Sequence, residues 1–279
     1  MIVDVHTHVG EIKHYNKFYL EESLKMRMDT SGIATTLDEH WEAMKSVDKA
    51  IVLAYRSDNE GVNIPNDYVA SYVKEHKEKL IGFMALDPND THLVEEMERS
   101  FHVLKLKGIK ISAIDQAFHP MDERMMAVYE FAEKNGLPIL THCGTTFARV
   151  APLKYGNPIL FEDVAYKFPD LKLIMAHMGH PWGEDTMALI RKQPNIYADV
   201  SALIYRPYQL YNFMITFSEW GVLHKLLFGS DFPVATPKET IDGLLKVNDI
   251  VEGSKLPKVP LDEIENIIHR SSLKLLNLE

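Results

Sequence analysis

Eight apolar runs of strand length, separated by helical patterns, limit the fold of this chain more than any other feature. They are Met1 to Gly10 (MIVDVHTHVG), Lys49 to Tyr55, Leu80 to Leu86, Gly108 to Ile111, Leu137 to His142, Leu171 to His177, Asn195 to Ser201 and Lys225 to Ser230. Near-continuous apolar strands belong to a parallel sheet buried on both faces, because a half-solvated sheet would alternate. Helical patterns fill the intervals at Asp38–Val47, Asn66–Glu78, Asp90–Leu104, Asp122–Asn135, Ile159–Phe168, Asp185–Gln193, Tyr208–Trp220 and Thr236–Val251, and an extra one spans Leu261–Leu276. Asp38 is the expected N-cap of the first, and Asn135-Gly136 closes another with a left-handed cap. The pattern predicts an α/β fold, a (β/α)8 TIM-like barrel in a single domain over residues 1–279 with an extra C-terminal helix. A doubly wound open sheet is the alternative, but no glycine-rich phosphate loop follows any run. The long stretch from Glu11 to Leu37, with Tyr15, Phe18, Tyr19, Met26 and Met28, reads as a lid or wall of a site.

In such a barrel, chemistry sits at the C-terminal ends of the strands. Polar residues recur there: His6 and His8 on the first run, Lys110 and Ser112 on the fourth, His142 on the fifth, His177 on the sixth, Asp199 and Ser201 on the seventh, and Asp231 after the eighth. Four of the thirteen histidines hold these positions, a placement that favours a metal centre over scattered structural imidazoles. A strand repeats every two residues, so Asp4, His6 and His8 are expected on one face, where two imidazoles reach one ion.

Composition removes other classes. A net charge of −10 argues against nucleic acid as the main partner. No apolar run is long enough for a membrane span. No basic segment followed by an apolar core opens the chain, so no signal peptide is expected, and the lone Cys143 fits a reducing cytoplasm. The expected partner is a small-molecule substrate. A homodimer is compatible with this reading.

The segments Asp4-Val5-His6-Thr7-His8, Leu140-Thr141-His142-Cys143-Gly144, Met175-Ala176-His177-Met178-Gly179 and Phe228-Gly229-Ser230-Asp231-Phe232-Pro233 resemble the amidohydrolase superfamily. The closer likeness is to its amidohydrolase 2 branch, which includes aminocarboxymuconate-semialdehyde decarboxylase and related enzymes. The resemblance implies a barrel with a divalent ion at its mouth, zinc first and manganese or iron as alternatives. It implies His6, His8, His142 and Asp231 as ligands, Asp231 also as the proton-accepting base, and His177 as a second catalytic group that polarises a carbonyl or passes a proton. The branch holds hydrolases, lactonases and non-oxidative decarboxylases, so membership leaves the reaction open. Metal-dependent hydrolysis of an amide, ester or lactone is the first expectation and decarboxylation of an aromatic or enoic acid the second. A metal-stabilised binding protein is disfavoured, because structural zinc sites are usually closed by cysteines.

Lys110 stands where some binuclear members carry a carboxylated lysine. The expectation here is a plain ammonium paired with Asp4, beside one metal. The branch commonly has histidine and then proline where this chain has Ser112 and Ala113. Lys110, Arg149, Asp199 and Ser201 are the expected substrate contacts, with Arg56 and Arg206 as further candidates for holding a carboxylate. Asp199 reads equally well as a packed, hydrogen-bonded group. Phe147, Tyr155 and Tyr205 are candidates for a flat wall, and Cys143 reads as a small buried residue rather than a nucleophile.

Overall fold

The computed structural model describes residues 1–27 and 33–279, so Met28 of the expected lid lies outside the described residues. The strands are β1 (Val3–His8), β2 (Lys49–Leu53), β3 (Tyr55–Ser57), β4 (Val62–Ile64), β5 (Leu80–Ala85), β6 (Ile109–Ser112), β7 (Ile139–His142), β8 (Leu173–Met175), β9 (Ile196–Asp199) and β10 (Leu226–Leu227). Eight of them form one sheet in the order β1-β2-β5-β6-β7-β8-β9-β10, parallel at every pairing. The ends meet through Val5 N–H to Phe228 O (3.0 Å), Asp231 N–H to His6 O (2.8 Å) and His8 N–H to Phe232 O (2.7 Å). The barrel is therefore nearly closed, and its closing seam carries three candidate ligands.

Inside the barrel, Val5, Leu53, Phe83, Leu140, Ile174 and Leu227 pack into one apolar plug, against which Leu273 and Leu276 of the C-terminal segment also lie. The opposite strand faces join the helices in a larger apolar shell. The helix over Glu123–Asn135 starts where Asp122 accepts from Arg124 N–H and stops at Gly136, at φ 64°.

Several boundaries differ from the expectation. Thr36, not Asp38, caps the Leu37–Met44 helix, because Thr36 and Glu39 exchange a reciprocal capping box. The run to Tyr55 breaks after Leu53, and a small antiparallel hairpin, β3–β4, follows. The Ile159–Phe168 stretch divides into a 3-10 turn, Pro158–Phe161, and a helix, Glu162–Lys167. The C-terminal stretch divides into Leu261–Ile268 and Ser272–Leu275, which lets Leu273 turn into the plug. No helix among the described residues is long and apolar enough to cross a membrane.

Candidate functional site

β1 supplies two site residues through a bulge. Asp4 pairs with Ala50 and Thr7 with Val52, so three steps on β1 oppose two on β2. The extra residue changes the phase of the strand. Val3 and Val5 belong to the interior plug, whereas His6 and His8 line the cavity beyond it. Asp4 consequently leaves the histidine face, correcting the expected Lys110–Asp4 pair. Its Oδ1 instead accepts from the backbone N–H of His6 (3.1 Å) and Ser230 (3.0 Å), pinning the seam between β1 and β10.

At that seam His6 Nε2 lies 3.1 Å from His8 Nε2 and 3.3 Å from Asp231 Oδ1, and His8 Nε2 lies 3.4 Å from the same oxygen. Metal bonds of about 2.0–2.2 Å set ligand atoms roughly 3.0–3.5 Å apart, so one divalent ion fits this donor set. Burial lowers the His8 pKa to about 4, keeping the imidazole neutral as a ligand must be. Burial alone would raise Asp231, but the His6 and His177 imidazoles and the hydrogen bond from His8 hold it far below the usual carboxylate range. Gly229 makes the approach possible: a Cβ there would stand 3.0 Å from that of His6.

His142, the expected fourth ligand, is not among the three clustered donor atoms and faces His177. It pairs with His177, its Nδ1 3.2 Å from His177 Nε2, while its Nε2–H donates to Thr145 O at 3.2 Å. His177 Nδ1 donates to Ser201 Oγ at 2.8 Å, and Ser201 Oγ donates to Asp199 Oδ1. The two imidazoles thus turn unprotonated nitrogens toward each other, an arrangement that calls for a cation or a proton between them. Burial lowers His177 to about 3. Its Nδ1 is taken by Ser201 and its Nε2 faces His142, so neither points freely at a substrate carbonyl.

Asp199 and Ser201 are corrections as substrate contacts. Both are fully buried. Asp199 Oδ2 accepts from His6 Nδ1 at 2.8 Å, which fixes the tautomer and leaves Nε2 as the donor atom. Its Oδ1 accepts from His177 N–H (3.0 Å) and Ser201 N–H (3.1 Å). His6, His177 and Asp199 also form a compact cluster, but these internal bonds show it orienting imidazoles. Asp199→Asn is therefore expected to weaken metal affinity about 10–100-fold with the fold intact. Competition against a chelator measures it, and unchanged affinity would remove the orienting role.

The cavity above these groups holds about 960 Å³. Lys110, buried, enters its floor with Nζ 3.5 Å from His6 Nε2. Burial lowers Lys110 to about 8 against the opposing pull of Asp231, Asp199 and Asp115. Arg149 is a further correction: its side chain is 78% exposed, 4.0 Å from Glu22, and outside the cavity lining. Arg56 is tied to Asp58 and Asp90. Arg206 does line the cavity and has no carboxylate partner among the described residues, its Nη1 donating to Ala202 O at 3.3 Å. Phe147 and Tyr205 are in the wall and Tyr155 is not. Cys143 is buried, its thiol pushed up to about 12 by burial, as befits an inert group.

Two acidic lining residues escaped sequence reading, Glu60 and Asp115. Glu60 is in the turn of the unforeseen hairpin and Asp115 follows β6; neither lies at a strand end. Burial, with the neighbouring charge of Asp115, pushes Glu60 from 4.5 up to about 11. The folded chain thus keeps a proton that the unfolded chain loses near its ordinary pKa. The resulting stability is full below about pH 4.5 and falls as pH rises toward 11. Across pH 5–9 the melting temperature of Glu60→Gln, in the same metal state, is expected to fall less steeply than the parent's. Parallel profiles would show Glu60 ionised at neutral pH.

The sequence matches the amidohydrolase family profile over residues 3–278. No curated protein sequence matches it. Among solved structures, an uncharacterised TIM-barrel protein from Bordetella bronchiseptica superposes with TM-score 0.76 at 20% identity, covering 99% of this chain and 98% of the other. An amidohydrolase from Burkholderia multivorans with bound zinc gives 0.69 at 12% identity, covering 100% of each chain. A dihydroxybenzoic acid decarboxylase from a Polaromonas species, with bound manganese and 2-nitroresorcinol, gives 0.65 at 16% identity, covering 99% and 97%. At these identities the structural likeness carries the fold. The profile match spans almost the whole sequence, and by it the chain belongs to the amidohydrolase family.

Proposed function

We propose that this chain is a metal-dependent hydrolase acting on the amide, ester or lactone carbonyl of a small molecule. The observation that carries the reading is the convergence of His6 Nε2, His8 Nε2 and Asp231 Oδ1 within 3.4 Å of one another beneath an open cavity. These three would hold the ion, with His142 and His177 offering further nitrogens nearby. Zinc is the favoured ion, with manganese or iron as alternatives. When bound, a divalent cation there acidifies water and polarises a carbonyl.

The chain's own groups then divide the remaining work. Asp231 directs Oδ1 to the imidazoles, which leaves Oδ2 to accept the proton of an attacking water and return it to the leaving group. Asp199 and Ser201 keep the imidazoles of His6 and His177 in register and offer a route for a proton. Hydrolysis is favoured over decarboxylation because the cationic groups of the cavity, Lys110 and Arg206, are balanced by acidic ones. Arg56 and Arg149 are spent elsewhere, and two acidic residues, Glu60 and Asp115, line the cavity.

Decarboxylation of an aromatic acid is the second reading. It is supported by Arg206 and by an aromatic wall in which Tyr15 stacks on Tyr19 (5.5 Å) and Tyr19 tilts against Phe147 (5.4 Å). Metal analysis followed by a screen of esters, lactones and amides against carboxylated phenols separates the two. Carbon dioxide release without hydrolysis of any ester, lactone or amide would overturn the first reading.

A further inference from the structure

Glu60 and Asp115 are 3% and 5% exposed, yet both line the cavity. Asp115 is held firmly in place. Its Oδ2 accepts from Tyr55 Oη (2.7 Å) and Ser112 Oγ (2.6 Å), and its backbone carbonyl accepts from Ser57 Oγ (2.9 Å). Glu60 Oε2 stands 3.5 Å from the same Tyr55 hydroxyl. Beyond the bond that the two carboxyls share with each other, Glu60 Oε1 and Asp115 Oδ1 have no hydrogen-bond partner among the described side chains and backbone. No lysine or arginine among the described residues is within ion-pair distance of either carboxyl. The groups acting on the pair through space are His142 and Lys110 from the barrel and Tyr55 from the hairpin.

A buried anion without an ion-paired cation is costly, and a rigid pair of carboxyls with free acceptor lone pairs is suited to a donor that brings the missing charge. We propose that the Glu60–Asp115 pair is the subsite that receives an ammonium group of the substrate, in the same cavity as His6, His8 and Asp231. This rests on the cavity being the substrate site. A neutral hydroxyl would supply hydrogen bonds but leave the charge, and a carboxylate would double it. The Tyr15, Tyr19 and Phe147 rings of the same cavity add faces that favour a cation bearing an aromatic body. With Glu60 holding its proton, the negative charge resides on Asp115 and Glu60 acts as its hydrogen-bond donor. Glutamine at position 60 can donate in the same way, so the two residues differ in what their substitution should do.

The test is calorimetric binding of benzylammonium, benzyl alcohol and benzoate to the metal-loaded protein. Benzylammonium is expected to bind roughly 10–100-fold tighter than benzyl alcohol, with benzoate weakest. Asp115→Asn should erase that order, and Glu60→Gln should keep it. In the parent, the carboxyl carbon resonances of Asp115 and Glu60 should move with benzylammonium and not with benzyl alcohol, a reading that needs no variant to fold. Equal or reversed affinities, no binding of benzylammonium, unmoved resonances, or a preference that survives Asp115→Asn in a folded protein would overturn the proposal. Binding is read without turnover, so this failure leaves the hydrolysis screen unaffected, and an inactive screen leaves the binding order standing.

Discussion

Asp231→Asn is expected to retain much of its metal and to lose turnover by about 10²–10⁴-fold, the usual range for a missing general base. Asparagine keeps the shape of the side chain and one oxygen toward His6 and His8, 3.3 and 3.4 Å away in the parent. It cannot accept a proton. The surrounding imidazoles keep the parent carboxylate ionised although burial opposes this, so it carries no proton of its own when water approaches. Metal content and kcat must be measured on the same preparation, so that loss of the ion is not mistaken for loss of the base. A variant that holds its ion and turns substrate over near the parental rate would show that the proton goes elsewhere. The His142–His177 pair would then be the next group to substitute.

Replacing both His6 and His8 with alanine should abolish metal binding altogether, where the parent is expected to carry about one ion per chain. Two of the three converging donor atoms disappear, and the remaining Asp231 oxygen offers a single contact. Ion binding to the native state alone also raises apparent stability by mass action. The parent should therefore melt at a lower temperature after chelation, and the double variant should not respond to the chelator. Elemental analysis showing the same metal content in both proteins would sink the site. Two ions per chain in the parent, with a carboxylated Lys110, would replace the single-ion reading by a binuclear one.

The order of the eight barrel strands, the barrel and the positions of His6, His8, His142, His177 and Asp231 at its mouth were legible in the sequence, whereas the β3–β4 hairpin and the Lys17–Arg27 helix were not. Periodicity reports local burial, and a parallel barrel places every strand end at one mouth whatever the details of packing. What escaped was set by register or by backbone conformation. The β1 bulge moved Asp4 from the histidine face to the seam with β10, because one extra residue inverts the phase of a strand. His177 and Asp231 reach their partners through left-handed backbone, at φ 57° and 60°, a conformation that neither residue type announces.

The same division explains the wrongly placed substrate contacts. Asp199, Ser201 and Arg149 are polar residues near strand ends, and sequence cannot tell which way such a side chain faces. Two of them turned inward to hold imidazoles, and the third turned out to solvent beside Glu22. Glu60 and Asp115 became cavity walls only because the β3–β4 hairpin folds over the end of β6. The sequence by itself determined the barrel and the chemical types of residue at its mouth, since both follow from burial pattern and chain order. Only the tertiary structure decided which of those groups share the cavity, because that depends on contacts between segments distant in the chain.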